Sequence, residues 1–240
     1  MRYKIVLSYD GSDFCGWQSQ PNGESVQNAV ETAAAKLFGH KTTVVGSGRT
    51  DAGVHALAQT AHFDSDKALP IKNVVGGLNA YLPDSIRVIS AEESDSRFDS
   101  RKSAKKKTYM YLMYRGDKTP LLNKRALFAG DLDTAAMAAA AKELIGTHDF
   151  STFKAAGSSA KTSMRTVYDA TVEERDGFIV FKITANGFLY NMVRIIVAQL
   201  IKIGKGEHID MATLIAARDR NAAKETAPGY GLYLYRVEYD

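Results

Sequence analysis

The sequence of 240 residues contains a single cysteine, Cys15, so no disulfide can form within the chain. Its five histidines are scattered, and none shows a spacing typical of a zinc site. The longest apolar segment, Met192 to Ile203, includes two basic residues and a glutamine, which argues against a membrane span. No signal-peptide pattern follows Met1. We therefore expect a soluble cytoplasmic protein that needs no metal.

Charge is also close to balanced. The 31 lysines and arginines exceed the 27 aspartates and glutamates only slightly, giving a formal net charge of +4. This mild excess does not by itself indicate a nucleic-acid partner. Whether the protein binds nucleic acid has to be judged from where the basic residues cluster. Hydrophobic residues make up 45% of the chain, which is enough for a sizeable core.

Strand and helix patterns mix along the whole chain without regular βαβ alternation. This favours the α+β class, with a mixed, mostly antiparallel sheet and helices on one side. A Gly/Asp/Lys/Pro loop over 114–131 interrupts the pattern, so we expect subdomains of residues 1–115 and 116–240. The main predicted helices cover 25–39, 72–82, 131–145 and 188–203. A hairpin turn is predicted at Asp176-Gly177. Residues 146–163 are polar, and no helix or strand is assigned to them.

The segment Gly48-Arg49-Thr50-Asp51-Ala52-Gly53-Val54-His55-Ala56 offers one carboxylate between two glycines. Glycine lets a backbone bend where other residues clash, so such a loop can fix one acid at the end of a strand. The spacing fits neither a Walker P-loop nor a Rossmann fingerprint. On spacing alone, an ordinary turn between strands explains the segment at least as well.

A basic stretch, Arg101 to Lys107, leads directly into the tyrosine-rich strand that starts at Thr108. Lysine and arginine neutralise phosphates, and tyrosine faces can stack on bases, which favours a nucleic-acid surface. The alternative is a solvated edge strand that uses lysine to block aggregation.

Two further residues have competing interpretations. Arg194 begins an otherwise apolar helical stretch, and a buried arginine needs a partner, which is either a fold-only ion pair or a functional acid. The sole tryptophan, Trp17, could contact RNA, but packing over its glycine-bearing loop is the preferred interpretation.

Five ordered segments together resemble the tRNA pseudouridine synthase A family, and the similarity runs from residue 3 to 239. The segments are Tyr9-Asp10-Gly11 with Gly16-Trp17-Gln18, then Gly48 to Ala56, Gly146 to Phe153, Phe188 to Arg194, and Gly231 to Leu234. One departure is Lys106-Lys107-Thr108, where relatives often have arginines before the motif tyrosine. Lysine lacks the planar fork of arginine, so RNA contacts there can differ.

The resemblance implies roles for individual residues. Asp51 matches the catalytic aspartate, as nucleophile or base, and Arg194 matches the arginine that pairs with it. Tyr109 matches the active-site tyrosine that stacks on the flipped uracil. Arg49 is expected to hold phosphate or displace the base, and Leu232 to pack against the uracil. The expected RNA-backbone contacts are basic residues of both halves: Lys105, Lys106, Lys107, Lys154 and Arg165.

The resemblance also implies the fold, the reaction and the partners. We expect two similar α/β subdomains that meet at a central cleft, and isomerisation of uridine to pseudouridine at positions 38 to 40 of the tRNA anticodon stem-loop, without cofactor or metal. A homodimer is implied. The alternatives are a catalytically silent RNA-binding or RNA-folding protein and a nucleoside hydrolase, although glycoside hydrolysis usually needs two flanking carboxylates.

Overall fold

The structure, a computed structural model, describes residues 1–21, 23–158 and 160–239. The strands are β1 (Arg2–Tyr9), β2 (Val45–Gly46), β3 (His55–Asp64), β4 (Ile86–Ser94), β5 (Lys106–Tyr114), β6 (Leu127–Phe128), β7 (Gly146–Asp149), β8 (Met164–Arg175), β9 (Phe178–Ala185) and β10 (Leu232–Glu238). The α-helices are α1 (Val26–Phe38), α2 (Ile71–Tyr81), α3 (Thr134–Lys142), α4 (Met192–Gly204) and α5 (Met211–Ala217). Short 3₁₀ turns cover Pro120–Leu122, Ser151–Phe153, Arg220–Ala223 and Gly229–Gly231. This mixture confirms the α+β class.

The chain divides into two compact units. The first contains Met1–Lys105 and the chain from Tyr233 on, and the second contains Lys106–Leu232. The expected subdomains, 1–115 and 116–240, assign β5 and the last strand differently. The subdomain boundary therefore stays a prediction.

In the first unit the sheet order is β4-β1-β3-β10, with β2 on β3. β1 pairs antiparallel with both β3 and β4, whereas β10 runs parallel to β3. Every second residue of β1 is buried, and Tyr3 on this face contacts Phe38 of α1 at 5.5 Å between ring centroids. The Ser25 hydroxyl caps α1 by accepting from the Asn28 N–H at 3.2 Å. The apolar face of β1 therefore lies under the helix.

In the second unit the order is β5-β9-β8-β7, with β6 parallel to β5 and the other pairs antiparallel. The β8–β9 hairpin turns at Asp176 and Gly177, whose φ angles of 52° and 79° confirm the predicted turn. α3 packs against β8 and α4. α4 is buried along most of its length.

One sequence-based expectation is wrong, and one strand in the polar segment was not predicted. The helix predicted from Phe188 begins only at Met192, because Asn191 adopts a left-handed conformation (φ 60°) that interrupts the helical backbone. The polar segment 146–163, to which the sequence assigned no strand, contains β7, which pairs with the first four residues of β8. None of the helices in the described parts of the chain combines the length and apolar character that crossing a bilayer requires.

Candidate active-site residues

Asp51 opens a tight turn immediately before β3. Its carbonyl accepts from the Val54 N–H at 3.1 Å, and Gly53 within the turn has a φ of 74°. The Asp51 side chain is half-buried, and the neighbouring Arg49 is exposed. This turn presents the carboxylate at the start of a strand in the middle of the first unit's sheet.

The loop after β1 lies against this turn and holds its backbone. The Trp17 N–H donates to the Thr50 carbonyl at 3.0 Å. A Cβ on Gly16 would lie 2.6 Å from the same carbonyl oxygen, and a Cβ on Gly11 would lie 2.1 Å from the Val54 carbonyl oxygen. Both positions therefore require glycine for close backbone approach.

Buried side chains fix the residues just before Asp51. The Thr50 hydroxyl shares a hydrogen bond of 2.9 Å with the Tyr9 hydroxyl. Gln59, fully buried in β3, accepts from the Ser47 hydroxyl at 2.6 Å and donates to the Gly48 carbonyl at 3.0 Å. Burial raises the pKa of Tyr9, which keeps its hydroxyl neutral. These polar contacts hold the turn from the sheet side.

Trp17 has a packing role. It is 3% exposed, and a Cβ on Gly46 would come within 2.5 Å of its ring. Its ring centroid lies 6.1 Å from that of Tyr9. The buried indole therefore supports the loop, as the preferred interpretation predicts, and does not offer a face to RNA.

His55 links the turn to β10. Its Nδ1 accepts from the Gly11 N–H at 3.0 Å, and its ring stacks on Tyr233 with centroids 4.6 Å apart and planes at 20°. Sequence reasoning gave His55 no role. Its place in the Gly-rich segment carries no signal for these contacts, because they come from residues distant in sequence.

In the second unit, Tyr109 lies near the start of β5, opposite Ile183 of β9. It is 9% exposed, and the ring of Phe188 meets it edge to face at 5.0 Å between centroids. Phe188 comes from the motif segment before α4. The structure thus brings together Tyr109 and a residue of the Phe188–Arg194 segment.

Arg194 lies in the first turn of α4 and is half-buried. Its Nε donates to the Ala227 carbonyl at 2.7 Å, and its Nη1 donates to the Asn191 Oδ1 at 3.0 Å. The Ala227 N–H in turn donates to the Arg194 carbonyl at 3.0 Å. The guanidinium is therefore held in a fixed orientation. The left-handed Asn191 was missed by sequence reasoning because helical periodicity continues through it.

The tyrosines of β5 do not form an open stacking surface. Tyr111 is fully buried and Tyr114 is 6% exposed. The Tyr111 hydroxyl donates to the Pro228 carbonyl at 2.9 Å. The argument for base stacking from interleaved tyrosines is therefore wrong for these two residues.

The expected RNA-backbone residues differ in their exposure. Lys105 and Lys106 are exposed, and Lys107 and Lys154 are half-buried. The Lys106 ammonium lies 4.9 Å from the centroid of the Tyr168 ring. Arg165 donates to the carbonyls of Thr162 and Met164, and burial lowers its pKa.

The remaining expected residue, Leu232, is 6% exposed and starts β10. Asp51, Arg49 and Lys105 belong to the first unit, and the other expected site residues belong to the second. Within the described residues no group of three or more His, Cys, Asp or Glu side chains could hold a metal ion.

Comparisons with known proteins agree on one family. A family model described as tRNA pseudouridine synthase matches residues 5–101 and 140–240. Proteins named tRNA pseudouridine synthase A are similar over nearly the whole chain. The one from Exiguobacterium sp. is 40% identical over 241 residues, covering 100% of this chain and 98% of its own.

Two more relatives carry the same name. The protein from Acetivibrio thermocellus is 42% identical, with 98% of each chain covered. The protein from Limosilactobacillus reuteri is 44% identical, covering 99% of this chain and 96% of its own. A solved structure titled "Crystal Structure of a Cbf5-Nop10-Gar1 Complex" has a TM-score of 0.34 and 13% identity, covering 86% of this chain and 54% of that one. A likeness this distant supports no structural conclusion.

Proposed function

The chain belongs to the tRNA pseudouridine synthase A family and is an isomerase that converts uridine in tRNA to pseudouridine, and we propose that Asp51 carries the reaction. We propose further that the targets are the uridines at positions 38 to 40 of the anticodon stem-loop. In this reaction the N–C glycosidic bond breaks, the uracil turns, and a C–C bond forms to the same sugar. The new C–C bond is to uracil C5, whose proton is lost to solvent, while N1 takes up a proton, so the reaction needs no electron transfer and no group donor.

The contacts that fix the Asp51 turn are the observation that supports this proposal. Backbone contacts at Gly11 and Gly16, together with the Gln59 hydrogen bonds, fix the turn from two sides. A carboxylate held this way can attack the sugar or the uracil as a nucleophile, or it can accept a proton as a general base. Neither role requires the turn to change its conformation. Both roles require the ionised form.

We propose that Arg194 is the cation that pairs with the Asp51 carboxylate. A cation in the first turn of a helix lies at the positive end of the helix dipole, where an anion is favoured. Pairing with a carboxylate compensates this unfavourable position. The bonds from Arg194 to Ala227 and Asn191 orient the guanidinium in advance.

Tyr109 and Leu232 are proposed to contact the uracil on its two sides. The uridine has to leave its stack to react, at a cost of about a few kcal/mol. Stacking and apolar contact in the site offset part of this cost. Phe188, edge to face with Tyr109, fixes the tilt of the tyrosine ring.

Basic side chains are proposed to hold the tRNA backbone. Arg49, Lys105 and Lys106 are exposed and can therefore reach phosphate. Of these three, Lys106 would have to give up its contact with the Tyr168 ring. Lys107, Lys154 and Arg165 are proposed to add to this surface. Removing one of these cations should reduce the slope of log affinity against log salt by roughly 0.7 to 0.9 for each phosphate that it neutralises.

We also propose that the enzyme acts in the cytoplasm as a homodimer in which each tRNA contacts both subunits.

The test is the conversion of tRNA carrying tritium at uridine C5. Pseudouridine formation releases this tritium, and mapping of the product gives the modified positions. Asp51→Asn should abolish release while tRNA binding stays close to that of the parent protein. Near-normal turnover by Asp51→Asn would remove Asp51 from the reaction, and modification outside 38 to 40 would reject the proposed targets. Free uracil among the products would instead indicate hydrolysis.

A further inference from the structure

A tyrosine hydroxyl with no part in the proposed chemistry is buried in the second unit. Tyr111 is fully inaccessible, and its hydroxyl donates to the Pro228 carbonyl at 2.9 Å. Its ring packs so tightly on Gly231 that a Cβ there would lie 2.6 Å from it. Burial, together with the nearby Tyr230, raises the pKa of Tyr111, so its hydroxyl stays a hydrogen-bond donor across the neutral range.

The carbonyl that receives this bond is next to the one that receives Arg194. Ala227 accepts from the Arg194 Nε at 2.7 Å, and Pro228 accepts from Tyr111. The Ala227 N–H also donates to the Arg194 carbonyl. Both backbone polar groups of Ala227 are therefore hydrogen-bonded to Arg194 of α4. The Arg194 charge is close enough to Tyr111 to oppose the rise of the tyrosine's pKa.

Other contacts secure the upstream side of the segment. Arg220 donates to the Thr226 hydroxyl at 3.1 Å, and Glu225 pairs with Lys202 of α4 at 3.1 Å. On the downstream side, Pro228 has no N–H of its own to donate. The Tyr111 bond therefore fixes the Pro228 end, from which the peptide plane of Ala227 takes its orientation.

We propose that Tyr111 is a positioning residue for Arg194: by holding the Pro228 carbonyl, its hydroxyl keeps the neighbouring Ala227 carbonyl aimed at the guanidinium. This inference rests on the proposed role of Arg194 beside Asp51. Tyr111 touches neither tRNA nor the reacting atoms in this assignment. Its contribution is to the rate of the chemical step and not to tRNA affinity.

Tyr111→Phe removes the hydroxyl and keeps the ring. We expect kcat to fall about 10-fold, because misplacing a group by a fraction of an ångström already slows a reaction that depends on orientation. The KM for tRNA should stay within about 2-fold, because the groups that bind tRNA are unchanged. Tyr3→Phe is the matched control. Tyr3 is also fully buried, and its hydroxyl accepts from the Leu69 N–H at 2.8 Å in the other unit.

Both substitutions should lower thermal stability to a similar extent, but only Tyr111→Phe should lower kcat. Equal kcat for the two variants, or an increase in KM that accounts for the loss, would overturn the inference. If kcat is lost in Asp51→Asn but unaffected in Arg194→Lys, the reaction assignment stands and the role of Arg194 is rejected, together with that of Tyr111.

A second measurement does not depend on turnover. The Nε–H of Arg194 gives a ¹⁵N–¹H resonance that is identified by its loss in Arg194→Lys. Tyr111→Phe should shift this resonance or increase its exchange with water, and Tyr3→Phe should leave it in place. An unchanged resonance in a folded Tyr111→Phe variant would overturn the inference.

Discussion

Replacing Gly16 by alanine tests whether close backbone contact holds the Asp51 turn. Gly16 has a φ of +113°, a conformation that side-chain-bearing residues rarely adopt. A Cβ at this position would lie 2.6 Å from the Thr50 carbonyl oxygen and 3.1 Å from the Asp51 carbonyl carbon. The substitution therefore pushes directly on the two residues that present the carboxylate.

Two effects add. Left-handed backbone costs a non-glycine residue about 1–2 kcal/mol. In addition, the Thr50 oxygen has to retreat by about 0.8 Å before the contact becomes an ordinary van der Waals one. A displacement of about 1 Å at a reacting group can reduce the rate by about 100-fold. We expect kcat for tritium release to fall by about that factor, together with a loss of stability.

Gly39→Ala is the control. Gly39 ends α1 with a φ of +82°, and apart from its own neighbours in the chain no heavy atom of the described residues lies within 4 Å of the position that its Cβ would take. It should show a comparable backbone cost, measured by thermal unfolding, with kcat unchanged. If Gly16→Ala keeps normal turnover, or if both variants lose turnover equally, the contact does not position Asp51.

Two further predictions concern the second unit and alkaline stability. Asn191→Gly keeps the left-handed backbone but removes the acceptor for Arg194 Nη1, so kcat should fall several-fold, roughly as expected for one hydrogen bond to a charged group. Asn191→Asp retains the acceptor and should keep most of the parent kcat. Equal kcat values for the two variants would contradict this role of Asn191. Burial raises the pKa of Tyr239 to about 12, whereas a tyrosine in an unfolded chain titrates near pH 10, at about its reference value. In between, the unfolded chain has lost a proton that the native protein keeps, so the free energy of unfolding decreases as pH rises. Urea unfolding at several alkaline pH values should show a shallower decrease for Tyr239→Phe, and an unchanged slope would refute it.

Local signals in the sequence predicted those features that neighbouring residues determine. Ser25 caps α1, and Asp176 with Gly177 forms the β8–β9 turn, because each depends on residues within one turn of chain. The glycine-flanked Asp51 was also visible as a turn. What holds that turn was not predictable, because Gly11, Gly16 and Gln59 make contacts across the sheet that no local pattern encodes.

The errors have the same origin. Apolar periodicity runs continuously through Leu189 and Asn191, so it could not show that the backbone turns left-handed before α4 begins. The polar residues of β7 gave no strand signal in the sequence, and only pairing with β8 makes them a strand. Tyr111 follows a basic stretch in sequence, yet tertiary packing buries it.

The parallel pairing of β10 with β3 has a consequence for the order in which the protein becomes functional during synthesis. Tyr233 and Leu234 lie beside His55 and Ala56, the first residues after the Asp51 turn. All of the second unit up to Gly231 is translated between these two strands. Asp51 thus leaves the ribosome early, but the sheet beside it stays incomplete until β10 has emerged. A chain interrupted before Tyr233 would carry every expected catalytic residue and still lack the strand that flanks the turn, so we expect it to be inactive.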